Sequence, residues 1–400
     1  MHTYALPILG IPLHTQSIIY WLFLALTCGS IGYCIIACYG AVRFLSLKKK
    51  FASAPPQNFH PPVSLLKPVY GADRDLEDNL RSFYLQDYPT FEILFSAREE
   101  SDPAVSIVRR LQSEFPLVPT RILLLGQPIY LNAKVHGMEA MTQAAAHEIL
   151  VISDSDVRVA PDYLRKVVAP LSSPEVGMTT VLSKGAPGKT LWSKLETLGM
   201  NTQFVSGVLS AWVLLGIEFA LGPTMVIRKS LVEKMGGMKI LGDYLADDFV
   251  LGERIAQMGH KVELATTVPD HLVFNDSFQH SLVHRLRWER SSRRSRPAGY
   301  VGQIFMHTLP LATIAYALAR ADSRLALNIL LLAFTIRYLL GGLTASLALE
   351  DGSFARHAWL LPLQDLVSFL IWLAAFFGKT VEWRGARFTV LPGGKLERVA

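Results

Sequence analysis

Two aspartates that follow a short apolar run could hold a metal ion. Asp154 and Asp156 come directly after residues 149–153 in the sequence ISDSDVRV. Side chains two positions apart on an extended segment point to the same face, so both carboxylates can reach one cation. Oxygen ligands suit Mg²⁺ or Mn²⁺, and Mg²⁺ is commonly held by one or two carboxylates together with phosphate oxygens. A turn or a helix N-cap leading into residues 161–168 is the alternative for this pair taken alone.

A second acidic pair, Asp247 and Asp248, stands where an amphipathic helix is predicted to begin. Apolar residues recur at helical spacing over residues 251–258, and Gly259 is suited to end the helix. A carboxylate at the start of this helix could act as a general base toward a hydroxyl group. It could also be only a favourable charge at the helix start, which contributes up to about 1 kcal/mol.

An α/β domain is predicted to position both pairs. Residues 62–300 alternate short apolar runs with helical periods, which is typical of an α/β layer structure. Strands are predicted at 63–66, 91–96, 121–125 and 149–153, with helices between them at 75–84, 103–115 and 135–146. Ligands of open α/β sheets bind beyond the carboxyl ends of the strands, which is where Asp154 lies.

The composition indicates a membrane part beside this domain. Half of the 400 residues are hydrophobic and only 18% are charged, which excludes a disordered chain. Residues 18–42 carry no charge and are numerous enough to span a bilayer, so residues 1–43 are predicted to form an N-terminal segment and membrane anchor. Four basic residues follow within positions 43–50, and the positive-inside rule therefore places the linker 44–61 and the domain 62–300 in the cytoplasm.

A second apolar block, residues 301–378, precedes the basic tail 379–400. Its apolar segments are predicted at 303–319, 325–349 and 358–378. Three crossings would place the tail outside, against the same charge rule. Because Pro362, Gln364 and Asp365 interrupt the last segment, we predict that this segment is re-entrant or lies in the membrane interface. A normal span with Asp365 near one end is the alternative.

The order of the motifs resembles the D, D, D, (Q/R)xxRW pattern of family 2-like glycosyltransferases, and most of all the ceramide glucosyltransferase group. The matching elements are VSLLKP at 63–68, Asp102 in SDPA, Asp154 in ISDSDVRV, Asp248 in LADDFVLGERI, and Arg287-Trp288. The resemblance covers residues 63–298 and extends to EWRG at 382–385. It implies a GT-A type nucleotide-diphospho-sugar transferase domain with a doubly wound mixed sheet between N-terminal and C-terminal transmembrane helices.

The resemblance implies how a UDP-sugar donor is bound. Lys67, Pro68 and Asp102 would line the uridine pocket, and Asp154 and Asp156 would hold Mg²⁺ or Mn²⁺ on the diphosphate. Such a cation stabilises the negative charge that develops on the leaving UDP.

Two basic residues are further candidates for the phosphates. Lys134, in an Asn-x-Lys element, could meet a phosphate as a point charge, although a solvated lysine at a helix start is the alternative. The resemblance assigns Arg287 to the same donor site, where a guanidinium can bridge phosphate oxygens.

The resemblance also implies an acceptor side. It makes Asp248 the general base of an inverting transfer, with Asp247 as its neighbour, and places Trp288 at the acceptor. His284 departs from the Gln or Arg that most family members carry, and we associate a histidine there with the branch that glycosylates hopanoids. Trp212 lies in the apolar stretch 202–221, for which we predict a membrane-facing surface that admits a lipid, or alternatively a core helix.

Six arginines between residues 285 and 296 could suggest nucleic-acid binding. Because this cluster abuts an apolar block, a cytoplasmic stop with lipid-headgroup contacts is the preferred interpretation, and no nucleic-acid partner is expected.

The sequence therefore predicts a multi-pass protein, placed by the resemblance in a bacterial inner membrane, that transfers glucose or N-acetylglucosamine from a UDP-sugar to ceramide or a hopanoid such as bacteriohopanetetrol. A processive polysaccharide synthase is the nearest rival, although it normally has more spans and a Gln in QxxRW. A non-catalytic nucleotide-binding scaffold is the rival from another class. The sequence leaves the oligomeric state open.

Overall fold

A computed structural model of the chain describes residues 13–53, 59–72, 74–274, 277–319, 323–383 and 385–399. Residues 54–58 of the predicted linker and Arg384 of the predicted EWRG element lie outside the described residues. The described chain has a long N-terminal helix, an α/β domain, and a group of apolar helices that ends in a small sheet.

Three sheets account for the strands of the described chain. In chain order the strands are β1 (Val63–Pro68), β2 (Phe91–Ala97), β3 (Thr120–Leu124), β4 (Ile149–Ser153), β5 (Val157–Arg158), β6 (Val176–Val181), β7 (Lys184–Pro187), β8 (Thr224–Arg228), β9 (Lys261–Ala265), β10 (Asp270–Val273), β11 (Thr380–Trp383), β12 (Ala386–Val390) and β13 (Leu396–Arg398). The main sheet has the order β3-β2-β1-β4-β8-β6-β9, and only β8 runs antiparallel to its neighbours. The predicted doubly wound mixed sheet is therefore confirmed.

Fifteen α-helices connect or flank these strands within the described residues. They are α1 (Leu13–Ser53), α2 (Leu76–Tyr84), α3 (Pro103–Glu114), α4 (Ala133–Ala144), α5 (Tyr163–Val168), α6 (Leu191–Leu198), α7 (Val205–Leu214), α8 (Lys229–Lys234), α9 (Asp247–Gln257), α10 (Phe278–Ser295), α11 (Pro297–Gly302), α12 (Thr308–Leu318), α13 (Ser323–Gly341), α14 (Phe354–His357) and α15 (Leu361–Ala375). A π-helical stretch, Gly199–Phe204, joins α6 to α7.

The main sheet is buried on both faces, which explains its continuous apolar runs. Successive residues of a strand point to opposite sides. Leu65 and Val151 accordingly join the cluster that includes residues of α2 and α3, whereas Leu66 and Ile152 join the cluster that includes residues of α4 and α9. This layering places the carboxyl ends of β1 and β4 side by side.

Three described helices are long and apolar enough to cross a membrane. They are Gln16–Ser53, Ser323–Ala348 and Phe354–Ala375. A further pair, Pro297–Met306 and Thr308–Leu318, passes the same test only jointly and is bent by 64°. The structure therefore locates the sharp bend in the first C-terminal segment, whereas the last segment, for which we predicted the interruption, is long enough for a span.

The polar residues of the last segment are satisfied inside the protein. Asp365 is fully buried and accepts two hydrogen bonds from Arg337 of α13, at 2.8 and 2.7 Å. Arg337 also donates to Thr202 at 2.9 Å. The charge that interrupts the apolar pattern is thus neutralised by a partner on the neighbouring helix, in keeping with the cost of an unpaired charge at membrane depth.

The residues predicted as a basic tail form an ordered antiparallel sheet, β11-β12-β13. Val381, Phe388 and Leu396 cluster with Leu245 of the α/β domain. The C-terminal sheet therefore packs on the domain that precedes the apolar helices.

Replacing one partner of the Arg337–Asp365 pair should destabilise the protein more than replacing both partners. Asp365→Leu leaves a buried guanidinium without its carboxylate, and we expect a loss of about 3–5 kcal/mol in the free energy of unfolding. Arg337→Met combined with Asp365→Leu should recover most of it. Thermal unfolding in detergent measures both, and a double variant no more stable than the single one would contradict the prediction.

Candidate active site

The carboxyl edge of the main sheet brings some of the predicted donor residues together. Lys67, at the end of β1, is fully buried and donates to the backbone oxygen of Asp154, just beyond β4, at 2.5 Å. Burial lowers the pKa of Lys67 to about 7, against the opposing effect of Asp154 and Asp156. The backbone that leads into the acidic pair is therefore held by a side chain of the adjacent parallel strand.

Lys134 connects the two acidic pairs. Its Nζ lies 2.7 Å from Asp154 Oδ1 and 3.5 Å from Asp247 Oδ2. Burial alone would lower the pKa of Lys134, but the surrounding carboxylates outweigh it and raise that pKa. Asn132 caps α4 and also donates to Asp247 Oδ1 at 3.1 Å, which fixes the start of α4 against the start of α9. The alternative of a solvated lysine is wrong, because only 12% of the Lys134 side chain is exposed.

Asp248 and Asp154 both approach Gly222. A Cβ atom added to Gly222 would lie 3.1 Å from Asp248 Oδ2 and 3.3 Å from Asp154 Oδ2, so the glycine leaves room for the two carboxylates. Burial, and then the neighbouring Asp247, raises the pKa of Asp248 to about 6. No local pattern in the sequence singles out Gly222, because its place beside both carboxylates depends on a tertiary contact.

Asp156 has a partner that the sequence did not suggest. Its Oδ2 lies 3.3 Å from His271 Nε2 on β10, the strand that pairs with β5. Burial would raise the pKa of Asp156, but the contact with His271 lowers it to about 2. Asp156 therefore stays ionised, as a metal ligand requires.

The residues fit a divalent ion that also binds phosphate oxygens. Asp156 Oδ1 is buried without a hydrogen-bond partner among the described residues, and the Asp154 side chain keeps 30% of its surface exposed. Within the described ranges no group of three or more His, Cys, Asp or Glu residues is arranged to hold a metal ion. Two carboxylates completed by a diphosphate match the usual mode of Mg²⁺ binding.

An open cavity lies beyond the ends of β1, β2 and β3. Pro68, Tyr70, Arg98, Gly126, Lys134 and Gly137 are among its lining residues. Asp102 caps α3 through Ala104 N and accepts from Gly71 N, each at 2.9 Å, so it anchors the chain that follows Tyr70. Of the residues predicted to line the uridine pocket, Pro68 lines this cavity, whereas Lys67 and Asp102 lie outside its lining and Asp102 supports the chain after Tyr70 through Gly71.

The predicted acceptor residues of α10 are anchored on α6. His284 Nδ1 lies 2.7 Å from Glu196 Oε1, and the His284 ring packs against Trp288 with 4.5 Å between ring centroids. Ser281 donates to the other oxygen of Glu196 at 2.7 Å. Burial would raise the pKa of Glu196, but the hydrogen bond with His284 lowers it. Arg287 is half-buried one position before Trp288.

Trp212 contacts the N-terminal helix. The guanidinium of Arg43 lies 4.3 Å from the centre of its ring, and a Cβ atom on Gly40 would lie 2.9 Å from Leu209 O. The apolar stretch that contains Trp212 therefore packs along α1, and the spans found among the described helices do not include it.

The arginine cluster makes contacts within the protein. Arg285 donates to Ser368 at 2.6 Å, and Arg290 and Arg293 donate to backbone oxygens of residues 377–380, after α15 and at the start of β11, including Gly378 O at 2.7 Å. The preferred interpretation of lipid-headgroup contacts missed this part of the cluster's role, because cations that bind distant backbone oxygens look the same in a sequence as cations that face lipid.

The sheet order and the acidic carboxyl edge define a GT-A type glycosyltransferase domain. A mannosyltransferase from Pyrobaculum calidifontis, solved in complex with GDP-Man and Mn²⁺, shares this fold with a TM-score of 0.51. The two sequences are 20% identical, and the match covers 88% of this chain and 97% of that one.

The family model of Glycosyl transferase family 21 matches residues 28–396, and the chain belongs to this family. Ceramide glucosyltransferase 1 of Caenorhabditis elegans is 29% identical over 56% of this chain and 48% of its own length. Ceramide glucosyltransferase 3 of the same organism is 23% identical over 84% of this chain and 74% of its own length. The chain thus spans about half of the first relative, and the resemblance inferred from the motifs is confirmed.

Removing the Lys134 ammonium should destabilise the site. Lys134→Met leaves Asp154 and Asp247 without their shared cation, and we expect a loss of about 2–3 kcal/mol, below the value for a completely buried pair because Asp154 is partly solvated. Adding Asp247→Asn should recover part of this loss, since one charge then disappears. Thermal unfolding of both variants tests the coupling, and an unchanged melting temperature for Lys134→Met would show that the pair contributes nothing.

Proposed function

We propose that the protein transfers a hexose, glucose or N-acetylglucosamine, from a UDP-sugar to a hydroxyl group of a membrane lipid. The observation that carries the proposal is the convergence of Asp154, Lys134 and Asp248 at the carboxyl edge of the main sheet in a member of Glycosyl transferase family 21. A donor site and a base would thereby be adjacent at one edge of the sheet.

The donor would bind with its uridine in the cavity beyond β1 to β3. Its diphosphate would then face Lys134, which supplies a fixed positive charge, with Arg287 as a second candidate. Asp154 and Asp156 would hold a divalent ion, Mg²⁺ or Mn²⁺, which supplies charge stabilisation to the departing diphosphate. Lys67 positions the backbone between β4 and these carboxylates.

Asp248 would act as the general base. It takes the proton from the lipid hydroxyl while the hydroxyl oxygen forms a bond to the anomeric carbon and the bond between that carbon and the UDP oxygen breaks. One displacement of this kind inverts the anomeric configuration. The raised pKa of Asp248 supports this role, because a base with a pKa nearer neutrality accepts a proton more readily.

The acceptor would approach from the side of α10. Trp288, with 37% of its surface exposed, and His284 offer an aromatic surface beside the membrane helices. Trp212 packs on α1 and would affect acceptor binding only indirectly. The names of the two relatives make ceramide the first acceptor to examine, and a hopanoid such as bacteriohopanetetrol is the second.

The topology we propose has the α/β domain and the C-terminal sheet on the cytoplasmic side. Because the C-terminal sheet packs on the α/β domain, the chain must return after the apolar helices to the side of the membrane on which the domain lies. Ala326, at the start of α13, clusters with Tyr20 near the outer end of α1, whereas Glu350, after α13, pairs with Lys48 at the inner end of α1. The bent pair 297–318 and α13 would therefore supply the two crossings. The last segment would lie at the cytoplasmic interface, since its two ends contact α6 and α10. This arrangement also satisfies the positive-inside rule for the tail, which three crossings would violate.

Asp248→Asn should reduce transfer about a hundredfold or more, because the amide cannot accept the proton. UDP binding should persist, since Asp248 faces the acceptor in this proposal. Product formation from radiolabelled UDP-sugar and lipid in detergent measures transfer, and calorimetry measures UDP binding. Asp162→Asn, a surface aspartate paired with Lys166, is the control. Full activity of Asp248→Asn would refute the assignment of the base.

Removing divalent ions should abolish transfer, and Mn²⁺ or Mg²⁺ should restore it. Asp156→Asn should require a higher ion concentration for half-maximal rate, because one ligand loses its charge. Chelation followed by titration of each metal measures this. Undiminished transfer after exhaustive chelation would contradict the metal assignment.

A further inference from the structure

We propose that the C-terminal sheet is a positioning element for the aspartates at the start of α9. The proposal rests on the role of Asp248 in the proposed function and assigns a task to residues 379–399, which the site itself does not contain. The sheet would act as a fixed clamp on the loop 241–246.

The loop is hydrogen-bonded to the sheet as an additional strand. Leu396 N donates to Asp243 O at 2.6 Å, and Leu245 N donates to Gly394 O at 3.4 Å. Between these two bonds, Tyr244 forms an antiparallel bridge with Lys395. The chain that leads into α9 is thus held in register by residues 394–396.

The same loop is bonded to the site on its other side. Asn132 N donates to Gly242 O and Asn132 Nδ2 donates to Tyr244 O, each at 2.9 Å. Asn132 Nδ2 also bonds Asp247, and the capped helix α4 carries Lys134. The loop is therefore clamped between the C-terminal sheet and the elements that hold the acidic pairs.

The sheet is in turn fixed to the helices beneath it. Arg290 and Arg293 of α10 donate to backbone oxygens between α15 and β11, and Gly393 N donates to Arg294 O at 3.0 Å. Arg296, at the end of α10, places its guanidinium 4.8 Å from the ring centre of Phe249, the neighbour of Asp248. One connected set of contacts therefore links the membrane helix α15, the acceptor-side helix α10 and the loop before Asp248.

Leu396→Pro is the decisive variant. Leu396 forms a non-hydrogen-bonded pair with Val390, so its N–H points away from β12 and toward the loop. Proline therefore removes the bond to Asp243 and spares the ladder of the sheet. Arg398→Pro is the control for a proline in β13, because Arg398 has the same kind of pairing, with Phe388, and the loop bonds lie at Gly394 and Leu396. Leu396→Ala keeps the N–H and loses the buried side chain, so it separates the lost bond from lost packing against Leu245.

We expect Leu396→Pro to lower kcat about tenfold or more relative to Arg398→Pro, with the KM for UDP-sugar changed less than twofold, because small displacements of a reacting group are costly. Hydrogen exchange of the peptide spanning 241–248 should accelerate in Leu396→Pro only. Equal kcat and equal exchange in the two variants would overturn the proposal. So would a parallel loss of kcat, UDP binding and melting temperature, which indicates general destabilisation.

A disulfide tests whether the clamp stays closed during turnover. Non-hydrogen-bonded antiparallel pairs have the short separation that a disulfide needs, so Tyr244→Cys with Lys395→Cys should form one. The native cysteines, Cys28, Cys34 and Cys38, all lie in α1. The oxidised variant should keep the rate of the reduced one, and inactivation by oxidation would refute a fixed clamp. If the unmodified protein transfers no sugar, the proposed function fails, while the exchange measurement still decides whether the sheet orders the loop.

Discussion

The candidate site depends on one ammonium group shared by carboxylates from two distant parts of the chain. Lys134 faces Asp154, beyond β4, and Asp247, at the start of α9. Without this cation, the acidic residues that the site brings together would repel one another in a poorly solvated space. The positive charge therefore allows the sheet edge to concentrate negative charge, and in the proposed function the same charge would face a phosphate.

Much of the α/β domain could be predicted because its elements are determined locally. The apolar run 149–153 is a strand buried on both faces, and helix α9 begins at Asp247 and is followed by Gly259 with a φ of +85°, as periodicity and cap chemistry indicate. Parallel strands of one sheet end at the same edge, so the sequence could also predict that Lys67 and Asp154 meet at the ends of the neighbouring strands β1 and β4.

The unpredicted features all depend on contacts between residues far apart in sequence. His271 meets Asp156 only because β10 pairs with β5, and Glu196 meets His284 only because α6 packs on α10. Neither partner belongs to a local pattern. The C-terminal sheet was missed for another reason. Its frequent charged residues are typical of a solvated tail, and its few apolar side chains form a core only together with Leu245 of the α/β domain.

The length of α1 has a consequence for where the chemistry takes place. At 1.5 Å per residue its 41 residues extend about 60 Å, roughly twice the thickness of the hydrocarbon layer. The residues beyond position 42 continue the helix as a post, and Trp212 of α7 packs against Arg43 at its base. In the orientation we propose, this post fixes the height of the acidic edge above the lipid headgroups, and with it how far a substrate must rise out of the bilayer to react.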